Sequence, residues 1–274
     1  MTTSTAAVAT HATARPSDTN PGTATQRIPL TRIVAVELRK SFDTRSGRWL
    51  LASIGLASLA TTGAVIAWAP MDEFRYSQFT LAIGMPMSVI LPIIAVLSVT
   101  AEWSQRSGLT TFTLVPHRGR VMLAKAVAAC LVALGATAVA FLVGSLGNLV
   151  GATLAGIAPV WDQGLADVGY IAIGNTLLMM IGFTLGALIR TSAGAVVAYM
   201  VYAFVAPGLL AFLAFNQDWF RDVRPWVDPK YNQDALLRGG LSGDQWSHVA
   251  VTTLVWLVLP LVAAVVTLRR SEVK

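Results

Sequence analysis

The chain has 274 residues, 55% of them hydrophobic and only 12% charged, with a mean hydropathy of +0.63. Soluble domains average about 25% charged residues, so these values exclude a large soluble core and point to a chain that crosses a membrane several times. The formal charge of +6 makes its distribution across the membrane the informative quantity, while the one cysteine, Cys130 in an apolar run, excludes an internal disulfide framework and argues against a zinc cluster.

Residues 1–26 are rich in Thr and Ala, are interrupted by Pro16, Pro21 and Gly22, and lack the apolar core of a signal peptide. They read as a disordered tail. From Leu30 to Phe42 the pattern changes: Leu30, Ile33, Val34, Leu38 and Phe42 fall on one side of a helical projection, and Arg32, Arg39, Lys40 and Asp43 fall opposite. That pattern predicts a basic amphipathic helix lying at the membrane surface, the alternative being a short connector in the cytosol. Glu37 projects into the apolar sector and Val36 out of it.

Six apolar stretches of bilayer-spanning length follow, near Trp49–Trp68, Phe79–Val99, Val121–Val143, Val168–Ile189, Ser192–Leu213 and Val249–Leu268. The third has an apolar continuation towards Ala155, and only Arg190 and its neighbours divide the fourth from the fifth. Helices are the only elements that satisfy their own backbone in lipid over such runs. The predicted fold is therefore an all-α membrane protein, with residues 27–274 forming a six-span domain behind an amphipathic helix.

With the N-terminus in the cytoplasm, 15 of the 20 Lys and Arg residues fall inside and five outside: Arg75, Arg221, Arg224, Lys230 and Arg238. Five acidic residues fall inside and nine outside. The positive-inside bias supports that orientation, with both termini cytoplasmic at a plasma membrane, and accounts for the basic excess without nucleic acid.

The chemistry available within the spans is limited. His11, His117 and His248 all lie outside the predicted spans, and no Asp or Glu sits in the middle of one, which argues against haem ligation, a Ser–His pair or a carboxylate ion relay in the bilayer. No GxxxxGK[ST] loop is present, nor any Gly-Lys pair. Leu241-Ser242-Gly243-Asp244-Gln245 differs by one residue from the LSGGQ signature of ATP-binding-cassette (ABC) ATPases, but it falls on the outer side, just before the sixth span. There Ser242 and Gln245 make a capping box ahead of an apolar run, with Trp246 at headgroup level. No enzyme activity, metal or cofactor is expected of this chain.

The segment Thr100–Lys125, TAEWSQRSGLTTFTLVPHRGRVMLAK, joins the second and third spans. Glu102 ends one span, Arg106 is basic, Gly108 and Thr110 follow, Pro116 precedes Arg118 and Arg120, and the next span begins with Lys125. In that order of features, and in its basic amphipathic helix, six spans and longer outer segment 216–247, the chain resembles the type-2 ABC transporter permease family over residues of about 30 to 270. The resemblance implies a permease subunit of an ABC exporter. It would pair with a second permease subunit, as homo- or heterodimer, and be driven by a separate ATPase that binds the ATP. It also makes loop 100–120 the coupling segment, through Glu102, Arg106, Gly108, Thr110, Pro116, Arg118 and Arg120. Glu37, Arg39 and Lys40 would belong to the interfacial helix against membrane lipid. A scaffold or channel subunit without an ATPase, and a lipid enzyme acting at a membrane face, are the alternatives. The sequence does not indicate the substrate.

Weaker patterns complete the reading. Gly147–Gly151 and Gly182–Gly186 are GxxxG motifs for close helix approach, within this chain or between subunits. Pro86 and Pro92 predict kinks in the second span, Pro207 in the fifth and Pro260 in the sixth. Asn148 and Asn175 are expected to face protein or a cavity. Met85, Met87, Met179 and Met180 read as core, with an adaptable substrate surface as the alternative.

Overall fold

A computed structural model describes residues 28–43, 45–70, 74–104 and 118–270. The expected tail, residues 1–26, lies outside the described residues. Helix α1 is Leu30–Asp43, α2 Arg45–Trp68, α3 Tyr76–Ser104, α4 Arg118–Ala155 and α5 Leu165–Ile189. Helix α6 is Ser192–Asn216, α7 Asp218–Val227, α8 Pro229–Leu237, and α9 runs over 243–270. Six of these, α2 to α6 and α9, are long and apolar enough to cross a membrane, and no strand occurs among the described residues. The protein is an all-α, multi-pass membrane protein.

The six expected spans are all present, most of them longer than expected. Helix α4 continues unbroken to Ala155 as the apolar pattern allowed. At 38 residues it is about 57 Å long, which exceeds a hydrocarbon core of about 30 Å, so it tilts or projects. The division between α5 and α6 falls at Arg190, whose backbone is left-handed (φ 60°) and whose N–H reaches back to Gly186 O at 3.0 Å. Successive spans alternate in direction. One end of the bundle therefore gathers α1, the end of α3, the start of α4 and the Arg190 turn; the opposite end holds α7 and α8.

Small residues set the core. A Cβ on Gly182 would lie 2.4 Å from Pro92 O and 2.7 Å from its Cα, and one on Gly186 would lie 3.2 Å from the Val96 backbone. The second GxxxG motif thus brings α5 against the backbone of α3. The first does the same against side chains: a Cβ on Gly147 would meet Thr62 at 2.4 Å and Phe79 at 2.9 Å. Both motifs are used within this chain. Met87, Met179 and Met180 are buried, whereas Met85 is exposed on the outside of α3. Asn175 donates to Thr137 Oγ1 (3.0 Å) and Asn148 to Val160 O (3.1 Å), so both face protein.

The four prolines act in two ways. Pro86 and Pro92 lie inside the uninterrupted helix α3. Pro207 and Pro260 instead follow five-residue π-helical segments, Val201–Val205 and Leu254–Val258, closed by Ala206 N–H to Val201 O and Leu259 N–H to Leu254 O. A wider turn ahead of proline relieves the clash of its ring with the preceding turn.

The segment 216–247 holds structure that the sequence reading did not specify. It was expected only as a longer segment between the fifth and sixth spans; α7 and α8 form a helical hairpin whose tip reaches the middle of the bundle. Tyr202, midway along α6, donates to Gln233 Oε1 (2.8 Å), and Trp256, midway along the sixth span, donates from Nε1 to Val227 O (3.0 Å). Along α5, Leu237 packs at Gly174, whereas Pro229 sits beside Ile181, some two turns further along. The hairpin ends near Ser242, where the expected capping box forms: Ser242 N–H donates to Gln245 Oε1 at 2.9 Å.

Candidate functional site

Helix α1 is held by the residue that breaks its amphipathic pattern. Ile33 and Glu37, one turn apart, form its buried face against α4 and α2, whereas Val36, Arg39 and Phe42 are exposed. A carboxylate in that position requires cations, and two are supplied. Glu37 Oε2 accepts from Lys125 Nζ at 2.5 Å, with both side chains only 6% exposed, and Oε1 accepts from Lys40 Nζ at 2.6 Å. Burial alone raises the carboxyl pKa; the charges and hydrogen bonds of Lys125 and then Lys40 outweigh it and hold the group below its ordinary value. Lys125 lies two turns inside α4, so the pair ties the surface helix to the third span at a fixed depth.

Arg120 adds a second tie. Its guanidinium donates to Ile28 O (2.8 Å), immediately before α1, and so faces this chain. Glu102 lies in the last turn of α3 and Arg118 opens α4, which places both backbones at the α1 end of the bundle. Arg106, Gly108, Thr110 and Pro116 lie outside the described residues. Just before Glu102, Thr100 Oγ1 and Ser192 Oγ share a hydrogen bond of 2.7 Å, which joins the end of α3 to the start of α6. Arg190 donates to Thr267 Oγ1 (3.3 Å) and joins the α5–α6 turn to α9. The α1 end is therefore cross-linked by polar contacts among α1, α3, α4, α6 and α9. Arg32, Arg39, Arg45 and Arg48 are exposed around it, forming a basic collar. A displacement of the α3–α4 connection would pass into two spans directly and into α1 through Glu37.

Sequence reasoning placed Glu37 in the apolar sector but did not pair it with Lys125, 88 positions away. The visible signal was an acidic residue on an apolar face, which demands a buried cation.

At the hairpin tip, Asp228 is 1% exposed and level with the middle of the spans. No span contains a central carboxylate, as expected, yet the hairpin carries one to that depth. Asp228 accepts from Arg224 Nε (3.1 Å) and Tyr231 N–H (3.0 Å), and Lys230 is paired with Asp234. The tip is thus electrically self-neutralised, and Arg224 also lies over the Tyr231 ring at 4.9 Å. No group of three or more His, Cys, Asp or Glu side chains able to hold a metal occurs among the described residues.

No protein-family model matches the chain, and no curated protein matches it.

Proposed function

We propose that the protein is the permease subunit of an ABC exporter, with the α1 end of the bundle in the cytoplasm and a separate ATPase docked beneath loop 100–120. The observation that carries this reading is the Glu37–Lys125 pair. It binds an amphipathic surface helix to the third span directly after the loop that bears the family-like order of Glu102, Arg106, Gly108, Thr110, Pro116, Arg118 and Arg120. The sequence asymmetry of basic residues and the exposed collar around α1 support that sidedness.

In this mechanism the ATPase binds and hydrolyses ATP. Its closure pushes on loop 100–120, α3 and α4 move as the two arms of that loop, and α1 follows α4 because separating a buried carboxylate from its cation is costly. A second permease subunit completes the translocation path at a plasma membrane. The permease chain supplies helices and coupling charges and performs no hydrolysis itself.

The test is substitution within the loop. Glu102→Ala and Arg118→Ala should each abolish transport while leaving insertion intact, with weaker ATPase recruitment or ATP turnover that no longer responds to substrate. An exposed ion pair contributes under about 1 kcal/mol, so the loss of mere surface charge would be nearly silent. Wild-type transport and wild-type stimulated turnover in both variants would overturn the assignment.

A further inference from the structure

Between α5, α6, α9 and the hairpin tip lies a cavity of about 390 Å³. Its wall is built from Leu185 and Leu188 of α5, Val201 and Leu210 of α6, and Trp256 and Pro260 of α9. An apolar void of about 150 Å³ already takes up benzene, and ligand pockets begin at about 300 Å³. This one is large enough for a flexible apolar group.

The polar side chains on the wall indicate what that group is. Five line the cavity, and all five are engaged within the protein. Thr184 donates to Met180 O (2.8 Å), Tyr202 to Gln233 Oε1 (2.8 Å) and Trp256 to Val227 O (3.0 Å). Asp228 is held by Arg224 and Tyr231 N–H, and Lys230 by Asp234. A buried water needs two to four polar partners, and these side chains have little left to give. An ionic ligand would meet a tip whose charges already cancel. At the same membrane depth the neighbouring surfaces of α6 and α9 expose Phe204, Val205, Val255 and Leu259. The medium around them is hydrocarbon.

We infer that this cavity is a binding site for the hydrocarbon chain of a membrane amphiphile, entered from the bilayer and closed at one end by the hairpin tip. The two π-helical turns contribute to its form. Val201 and Tyr202 belong to one and Trp256 to the other, and Pro207 and Pro260 follow them on the same wall. Both widened turns thus contribute to the wall of the site. The inference stands on the membrane fold and is independent of the permease reading, so the absence of an ATPase partner would leave it untouched.

The test uses the full chain in lipid nanodiscs containing a phospholipid with a photoreactive diazirine in its acyl chain, with labelled residues mapped by mass spectrometry. Labels are expected to concentrate on Leu185, Leu188, Val201 and Leu210, above the more exposed Val197 and Phe212 on the outside of α6. Ala206, also on the wall, offers a way to fill the site. Ala206→Phe should lower labelling at those four positions about tenfold, the effect of losing roughly two methylene groups of burial, and leave Phe212 labelling unchanged. If Ala206→Phe fails to insert, the wild-type map decides alone. Labelling that follows exposure, with Val197 and Phe212 above the cavity residues, would overturn the inference. Cavity labelling that persists in correctly folded Ala206→Phe would do the same.

Discussion

Glu37 is the residue on which the α1 end depends. Its carboxylate sits among apolar side chains and is held there by Lys125 and Lys40. Glu37→Gln withdraws the carboxylate charge that Lys125 and Lys40 both face, and loosens the attachment of α1 to α4 because a buried charge pair broken on one side is costly. The expected outcome is rapid hydrogen exchange over α1, while the spans keep their protection. The pH dependence has a definite sign. Because the folded carboxyl pKa lies below the ordinary 4.5, the pair stabilises the attachment of α1 above that pH and ceases to do so as pH falls through the lowered value. Exchange over α1 should therefore accelerate only below pH 4.5 in the wild type and lack that acid transition in Glu37→Gln.

Among the elements, α5 approaches the backbone of α3 directly, and Gly182 makes that approach possible. A methyl group there meets the backbone of Pro92, which cannot swing aside as a side chain can. Overpacking costs about 1–3 kcal/mol where neighbours can adjust, and Gly182→Val should reach or exceed the upper end, read as a lowered thermal midpoint in detergent. Gly169→Ala, with nothing near the added methyl, should leave the midpoint unchanged. Equal midpoints for Gly182→Val and wild type would contradict the packing. The GxxxG spacing was legible in the sequence, but its partner was not, because the motif encodes close approach without saying to what. The spans were legible for a firmer reason: apolar runs of this length have one stable form in lipid, and the six observed helices contain the six expected ones. The hairpin was hidden by its own charges. Arg224, Asp228, Lys230 and Asp234 read as charges of an outer segment, and only the spacing of four between Arg224 and Asp228 and between Lys230 and Asp234, which lets each cation cancel a carboxylate, hinted that the segment is able to leave water. The Glu37–Lys125 contact was half legible, since the misplaced carboxylate was visible while its partner depended on which span α1 lies against.

For the whole molecule, the account requires an orientation and a partner. The orientation is tested in a variant lacking Cys130 with single cysteines at Gly119 or Ser247, at opposite ends of the bundle. An impermeant thiol reagent on intact cells should label position 247 and not 119; labelling of 119 alone would invert the topology and undo the proposed coupling. The partner is the central claim, and co-isolation tests it most directly. The tagged chain is solubilised from its native membrane in mild detergent, its companions are identified by mass spectrometry, and ATP hydrolysis is assayed on the isolate. The account predicts a companion bearing a phosphate-binding loop and a complete LSGGQ signature. Hydrolysis should accompany that subunit, Glu102→Ala or Arg118→Ala should weaken its recruitment or leave its turnover unresponsive to substrate, and the purified chain alone should show no hydrolysis. Isolation of the intact chain with no nucleotide-binding subunit, or ATP hydrolysis by the chain free of any other protein, would contradict it.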